Sequence, residues 1–103
     1  MARGIARYWY HNNDHEIAVG DLPVALTVEW AVVEDPDTFT PVDASLTGTL
    51  TEGSDIVYRG TVSGAAIAAH LLDRARYWLV VRVGTTLRVV GRFQARALRP
   101  ANR

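Results

Sequence analysis

From Tyr77 to Arg96 the chain runs through two long stretches of period-two alternation, and this pattern constrains its fold more than any other feature. Tyr77, Leu79, Val81 and Val83 alternate with Trp78, Val80 and Arg82. Leu87, Val89, Gly91 and Phe93 alternate with Arg88, Val90, Arg92, Gln94 and Arg96. Successive side chains of a strand point to opposite faces, so each stretch reads as a strand with one face for a core. A three-residue loop, Gly84-Thr85-Thr86, sets Val83 against Leu87, Val81 against Val89, Leu79 against Gly91 and Tyr77 against Phe93. One face is then wholly apolar, whereas a two-residue loop opposes Val81 to Arg88. Register follows the buried face, so the longer loop is expected. The outer face then carries Arg82, Arg88, Arg92 and Arg96, with Trp78 and Val80 among them. Arg82 falls opposite Arg88, a like-charge pairing that a partner's carboxylates would relieve.

The same alternation marks earlier strands. Val24, Leu26, Val28, Trp30 and Val32 alternate with Ala25, Thr27, Glu29 and Ala31, which predicts a long strand over about 23–34. Glu34-Asp35-Pro36-Asp37 ends it as a turn. Ser45–Thr51 alternates Leu46 and Leu50 with threonines. Glu52-Gly53-Ser54-Asp55 reads as a hairpin turn, with Ile56, Tyr58 and Val62 continuing beyond it. Short strands are expected near 5–10 and 17–19. Residues 65–72 are rich in helix formers, and Ile67 and Leu71 share a face, so one short helix is expected there with Ser63 as its cap. Residues 1–103 read as a single domain.

Charge is sorted along the chain. Residues 1–55 hold ten carboxylates and two arginines, a net charge of −8; residues 56–103 hold nine arginines and one carboxylate, Asp73, a net charge of +8. Two readings stay open. Acidic and basic strands pair within one sheet, or the two halves attract neighbouring molecules. Every cation is arginine, a planar fork suited to bidentate carboxylate pairing and to stacking on aromatic rings. With no lysine there is no Schiff base or P-loop, and with no cysteine there is no disulfide, thiolate metal site or thiol nucleophile. No apolar window nears the ~18 residues of a membrane span, and residues 1–10 lack the apolar core of a secretory signal, so synthesis and folding in cytoplasm are expected.

Asp73-Arg74-Ala75-Arg76-Tyr77-Trp78-Leu79 resembles the immunoglobulin-type Asp-x-Ala-x-Tyr-x-Cys stretch, with Leu79 in place of the cysteine. The resemblance implies an all-β fold, an Ig-like antiparallel β-sandwich with one short helix between the late strands. Tyr77 would form a corner where the penultimate strand begins, and Trp30 would be the core tryptophan facing Leu79. An unrelated sandwich sharing a Tyr-x-Leu-x-Val strand is the alternative. The segment from Pro23 to Arg99, with its Tyr58-Arg-Gly-Thr-Val-Ser-Gly and Tyr77-Trp-Leu-Val-Val stretches, also looks like Ig-like modules of tailed-bacteriophage baseplates. This likeness implies a structural assembly module of a virion at the neck, tail or baseplate (head-tail connection), assembled in the host cytoplasm. Its partners would be copies of itself and other virion proteins. Capsid decoration, as a cement protein, is the nearest alternative.

The expected interface comprises Arg82, Arg88, Arg92, Arg96 and Trp78 as a cationic face, with Glu34, Asp35, Asp37 and Asp43 as its acidic counterpart. No catalytic residue, cofactor, metal or small-molecule substrate is expected. His11 and His15 flank Asn12-Asn13-Asp14, a loop sequence in which their spacing fixes no metal geometry. Asp35, Asp37 and Asp43 match no EF-hand spacing and suit turn chemistry. His70 and Asp73 lie near no marked nucleophile. Two other classes remain. Tyr8, Trp9, Tyr10 and Trp30 would form a carbohydrate platform if exposed and coplanar. The arginine strand would bind nucleic acid, a reading that zero net charge weakens.

Overall fold

The computed structural model describes residues 6–20, 22, 27–53 and 57–97. The described residues form seven strands and one short helix: β1 (Tyr8–Tyr10), β2 (His15–Val19), β3 (Val28–Val33), β4 (Thr47–Glu52), β5 (Tyr58–Val62), α1 (Gly64–His70), β6 (Arg76–Val83) and β7 (Thr86–Arg96). All-β with one short helix between the late strands is therefore the fold class. The strands make one mixed sheet in the order β1-β7-β6-β3-β4-β5-β2, antiparallel except where β1 runs parallel to β7. The ladder is continuous where an antiparallel sandwich of separate sheets was expected. It bends at β4, which pairs through Thr47–Leu50 with β3 and through Thr51 and Glu52 with β5. Of the expected strand over 23–34, residues 23–26 lie outside the described residues, as do Ser54 and Asp55 of the hairpin turn, Ile56 beyond it and the tail from 98 to 103.

One core lies inside this curl. Trp9, Ile17, Val28, Leu50, Tyr58, Leu79 and Phe93, from all seven strands, belong to it. The sheet edges β1 and β2 are consecutive in the chain, and rings close the seam between them. His15 stacks on Trp9 at 5.2 Å, Trp9 on Phe93 at 3.9 Å, and Phe93 meets Tyr77 at 6.0 Å. The row crosses β2, β1, β7 and β6. The Tyr10 N–H donates to His15 Nε2 at 3.0 Å, so that nitrogen carries no proton. Burial holds the His15 imidazole below its ordinary pKa, against an opposing pull from Asp14.

The β6–β7 hairpin departs from expectation in an instructive way. Its turn is the two-residue Gly84-Thr85, closed by the Val83–Thr86 pair. Gly84 takes φ +60°, which suits the first position of a type II′ turn. Pairing then runs Arg82 with Leu87, Val81 with Arg88 and Val80 with Val89. A bulge follows that leaves out Val90, and Leu79 faces Gly91 and Tyr77 faces Phe93. The bulge absorbs the one-residue phase error that the short turn introduces. The buried pairs far from the turn form as expected. The Val83–Leu87 and Val81–Val89 pairs do not.

The loop between β1 and β2 braces α1. Ser63 occupies the N-cap position, but its side chain makes no capping bond. Asp14 takes that role, its Oδ1 accepting the Gly64 N–H at 2.8 Å. His11 Nε2 donates to the Leu71 carbonyl at 2.8 Å, and Asn12 N–H to the Gly64 carbonyl at 2.9 Å. A Cβ at residue 64 would lie 2.3 Å from the Asn13 nitrogen. Beyond the helix, the Leu72 N–H donates to Tyr77 Oη at 3.0 Å, a side-chain tie at the start of β6. Trp30 lies opposite Val81 in the ladder, while Val32 lies opposite Leu79. Its indole covers Gly48 and Gly60, where added Cβ atoms would come within 3.0 and 3.6 Å of Nε1.

Two predictions follow from this packing. Gly64→Ala forces a methyl group into backbone that cannot rotate away. It should cost about 1–3 kcal/mol, a drop of roughly 4–8 °C in Tm per kcal/mol; an unchanged melting curve would refute the close crossing. For His15, the folded chain binds its proton less readily than the unfolded chain does. Its contribution is complete above the unfolded value of about 6.5 and is lost as pH falls through that value towards the lowered folded one. His15→Gln should therefore flatten the acid side of the stability profile in urea titrations between neutral and mildly acidic pH. Parallel profiles would contradict the seam geometry.

Candidate functional site

The outward face of β6, β7 and β1 is where the chemistry concentrates. Alternation from the buried Tyr77, Leu79 and Val81 turns Arg76, Trp78, Val80 and Arg82 outward. Beyond the bulge, Phe93 and Ala95 point in, so Arg92, Gln94 and Arg96 point out. Register aligns Trp78 with Arg92, and Arg76 with Gln94 and Tyr8.

Part of this face is itself covered. Ala31, Val33 and Val80 are fully buried, with Phe39, Trp78 and Leu87 packed against them. The cover comes from residues 34–42, which leave β3 and return where the Val42 N–H meets the Val32 carbonyl at 2.9 Å. Proline and aspartate shape the departure: Asp35 Oδ1 accepts the Asp37 N–H at 3.0 Å, and the Asp35 carbonyl accepts the Thr38 N–H at 3.1 Å.

Arginine is used here as a flat ring partner as much as a charge. Arg82 lies 4.2 Å from the Phe39 ring centre, Arg92 5.5 Å from Trp78 and Arg96 5.2 Å from Tyr8. Arg82 also donates through Nη2 and Nε to Glu29 Oε1, at 2.8 and 3.2 Å. Glu29 and Arg82 are direct cross-strand neighbours. Among the described residues, no carboxylate lies within ion-pair distance of Arg7, Arg76, Arg88, Arg92 or Arg96.

A cleft of about 370 Å³ opens between β6, β7 and β1, lined by Arg7, Tyr8, Arg76, Arg92, Phe93 and Gln94. A hollow of about 300 Å³ lies inside the 34–42 loop, lined by Glu34 and Asp35 with Thr38, Thr40, Pro41 and Val42. The outer face thus presents a cationic recess with no acid in its lining, and the loop that packs on it encloses an acidic hollow with no base.

The structure sorts the expected interface residues. Arg82, Arg92, Arg96 and Trp78 share the outer face, as expected. Arg88 does not: it pairs with inward-facing Val81 and emerges exposed at the rim. The two-residue turn is the cause, and it also removes the expected Arg82–Arg88 opposition. Glu34, Asp35 and Asp37 are exposed on their loop. Asp43 is already engaged, capping the 3₁₀ turn Ala44–Leu46 through the Ser45 hydroxyl (2.7 Å) and N–H (2.9 Å), with His70 Nε2 at 3.2 Å. The Ser45 hydroxyl, then its N–H, with His70 last, hold the Asp43 carboxyl below its ordinary pKa. Sequence reasoning missed Glu29, Phe39, Arg7, Tyr8 and Arg76 as members of this face. The alternation around Trp30 does turn Glu29 away from the core, but its partner strand is not written in the local sequence.

The other candidates resolve into structural roles. His11 and His15 serve α1 and the β1–β2 seam, and among the described residues no three His, Asp or Glu side chains converge. Trp9 and Trp30 are 1% and 5% exposed, so they do not join Tyr8 and Tyr10 in an open platform. Among the described residues no helix is long and apolar enough to cross a membrane. No protein-family model matches the chain, and no curated protein or solved structure matches it significantly.

The Glu29–Arg82 pair is about 40% exposed on each side. A double-mutant cycle with alanine at both positions should give a coupling of about 0.2–1 kcal/mol. The Arg82→Ala single variant should cost more than Glu29→Ala, because it also uncovers Phe39. Equal single costs would remove the stacking role.

Proposed function

We propose that this chain is a structural assembly module that acts through protein–protein contacts, with the arginine face of β1, β7 and β6 as its docking surface. One observation carries the reading. Arg7, Arg76, Arg92 and Arg96 crowd one outward surface, interleaved with Trp78 and Tyr8, and no described carboxylate is within ion-pair reach of them. Aromatic-backed arginines are common anchors of protein interfaces, and their planar forks match carboxylates on a partner. Such pairs set register and orientation more than affinity.

The setting we propose is a tailed-phage virion, at the neck, tail or baseplate, with capsid decoration as the neighbouring role. What supports it is the likeness of the Pro23–Arg99 segment to Ig-like baseplate modules, together with a cysteine-free β fold whose arginines crowd one surface. The carbohydrate reading loses support from the burial of Trp9 and Trp30.

Co-expression with the products of neighbouring genes, read by native mass spectrometry, tests the proposal. A complex of fixed stoichiometry is expected, which Arg92→Glu with Arg96→Glu weakens at least tenfold. Failure to associate with every neighbour overturns it, as does tight single-stranded DNA binding with a steep salt slope.

A further inference from the structure

The cationic cleft and the acidic loop lie side by side on one molecule, yet they do not neutralise each other. The row Val33–Trp78–Arg92 crosses β3, β6 and β7, and Glu34 follows Val33 directly. Two strand spacings of about 4.8 Å put the start of the acidic loop roughly 10 Å from Arg92. The cleft opens on the outer face and the acidic loop packs on that face through Phe39, with the half-buried Trp78 in the row between Val33 and Arg92. Glu34 and Asp37 are exposed, with no described cation within ion-pair distance.

We infer that the cleft lined by Arg7, Arg76 and Arg92 is the seat for the Glu34–Asp37 loop of a second copy of this chain. This rests on the assembly reading and names one partner for its surface. Charge complementarity selects the occupant: the recess has three guanidinium groups and no acid, and the loop presents acids and no base. Shape agrees. The acidic loop is hollow, with about 300 Å³ bounded by Glu34, Asp35, Thr38 and Thr40, which leaves room for a guanidinium from the partner's cleft. Because the two features adjoin, a two-fold axis near Trp78 makes both contacts at once. Each loop enters the other copy's cleft, and each copy supplies the same surface. The chain's sorted charge then serves self-recognition, although the whole molecule is neutral.

Sedimentation velocity on the pure protein decides this at about 0.05 M and about 0.5 M salt, conditions that differ in screening length about threefold. The wild type should be a dimer at low salt, with affinity falling at least tenfold at high salt. Arg76→Glu with Arg92→Glu should leave it monomeric, and so should Glu34→Arg with Asp37→Arg, with circular dichroism unchanged. An equal mixture of the two variants should dimerise again, because each then offers the charge the other lacks. A wild-type monomer at low salt overturns the inference, as do variants that still dimerise or a mixture that stays monomeric. A monomer whose heparin retention is lost with Arg76 and Arg92 assigns the cleft to a polyanion instead. Failure here leaves binding to the products of neighbouring genes standing, so the two readings fail separately.

Discussion

The ring stack His15–Trp9–Phe93–Tyr77 is the interaction on which the rest of this fold depends. A sheet that curls round one core ends in two edges, each with backbone groups that need partners. The described residues of β1 and β2 form no ladder with each other. Aromatic surface closes the gap instead, in near-parallel stacks tilted by 10° and 14°. A ring nitrogen takes up the Tyr10 amide that the missing strand would have bound. The arrangement requires a neutral imidazole, and burial supplies that condition. The turn between the two strands then becomes a brace, with Asp14 and His11 gripping opposite ends of α1.

The candidate site depends on the same closure. Arg7 and Tyr8 line the cationic cleft only because β1 is held against β7, and Trp9 does the holding from the inner side. The charge that is sorted along the sequence is partly mixed in space, since β3 lies beside β6 and β1 beside β7. Glu29 meets Arg82 in this way. Mixing stops short of the outer face near Trp78, where cations and acids sit in adjacent but separate recesses. The intramolecular reading of the charge pattern thus accounts for Glu29 and Arg82, while the acids and cations flanking Trp78 stay apart within the described residues.

The strands were legible wherever one face had to be buried. Val28, Trp30 and Val32, and Tyr77, Leu79 and Val81, all point where their alternation sends them. The 34–37 turn followed from proline and aspartate, and the short helix from its alanines. What escaped was long-range or compensated. An apolar inner face requires Leu79–Gly91 and Tyr77–Phe93 but not the expected three-residue turn, because a bulge at Val90 lets a two-residue turn and the same core coexist. Asp14 caps a helix fifty residues away, so no local window holds that signal. The parallel β1–β7 pair brings Arg7 to Arg92, and nothing in either segment alone announces it.

The seam is open to one direct measurement, native-state amide hydrogen exchange at Tyr10. The neighbouring His11 N–H bonds to Arg96 of β7, so alternation turns the Tyr10 N–H to the opposite side, towards β2. If the rings close the sheet, this amide is protected at neutral pH to the same degree as the β6–β7 hairpin. A Tyr10 amide that exchanges freely while that hairpin stays protected would show an open seam, and with it a cleft that has lost one wall.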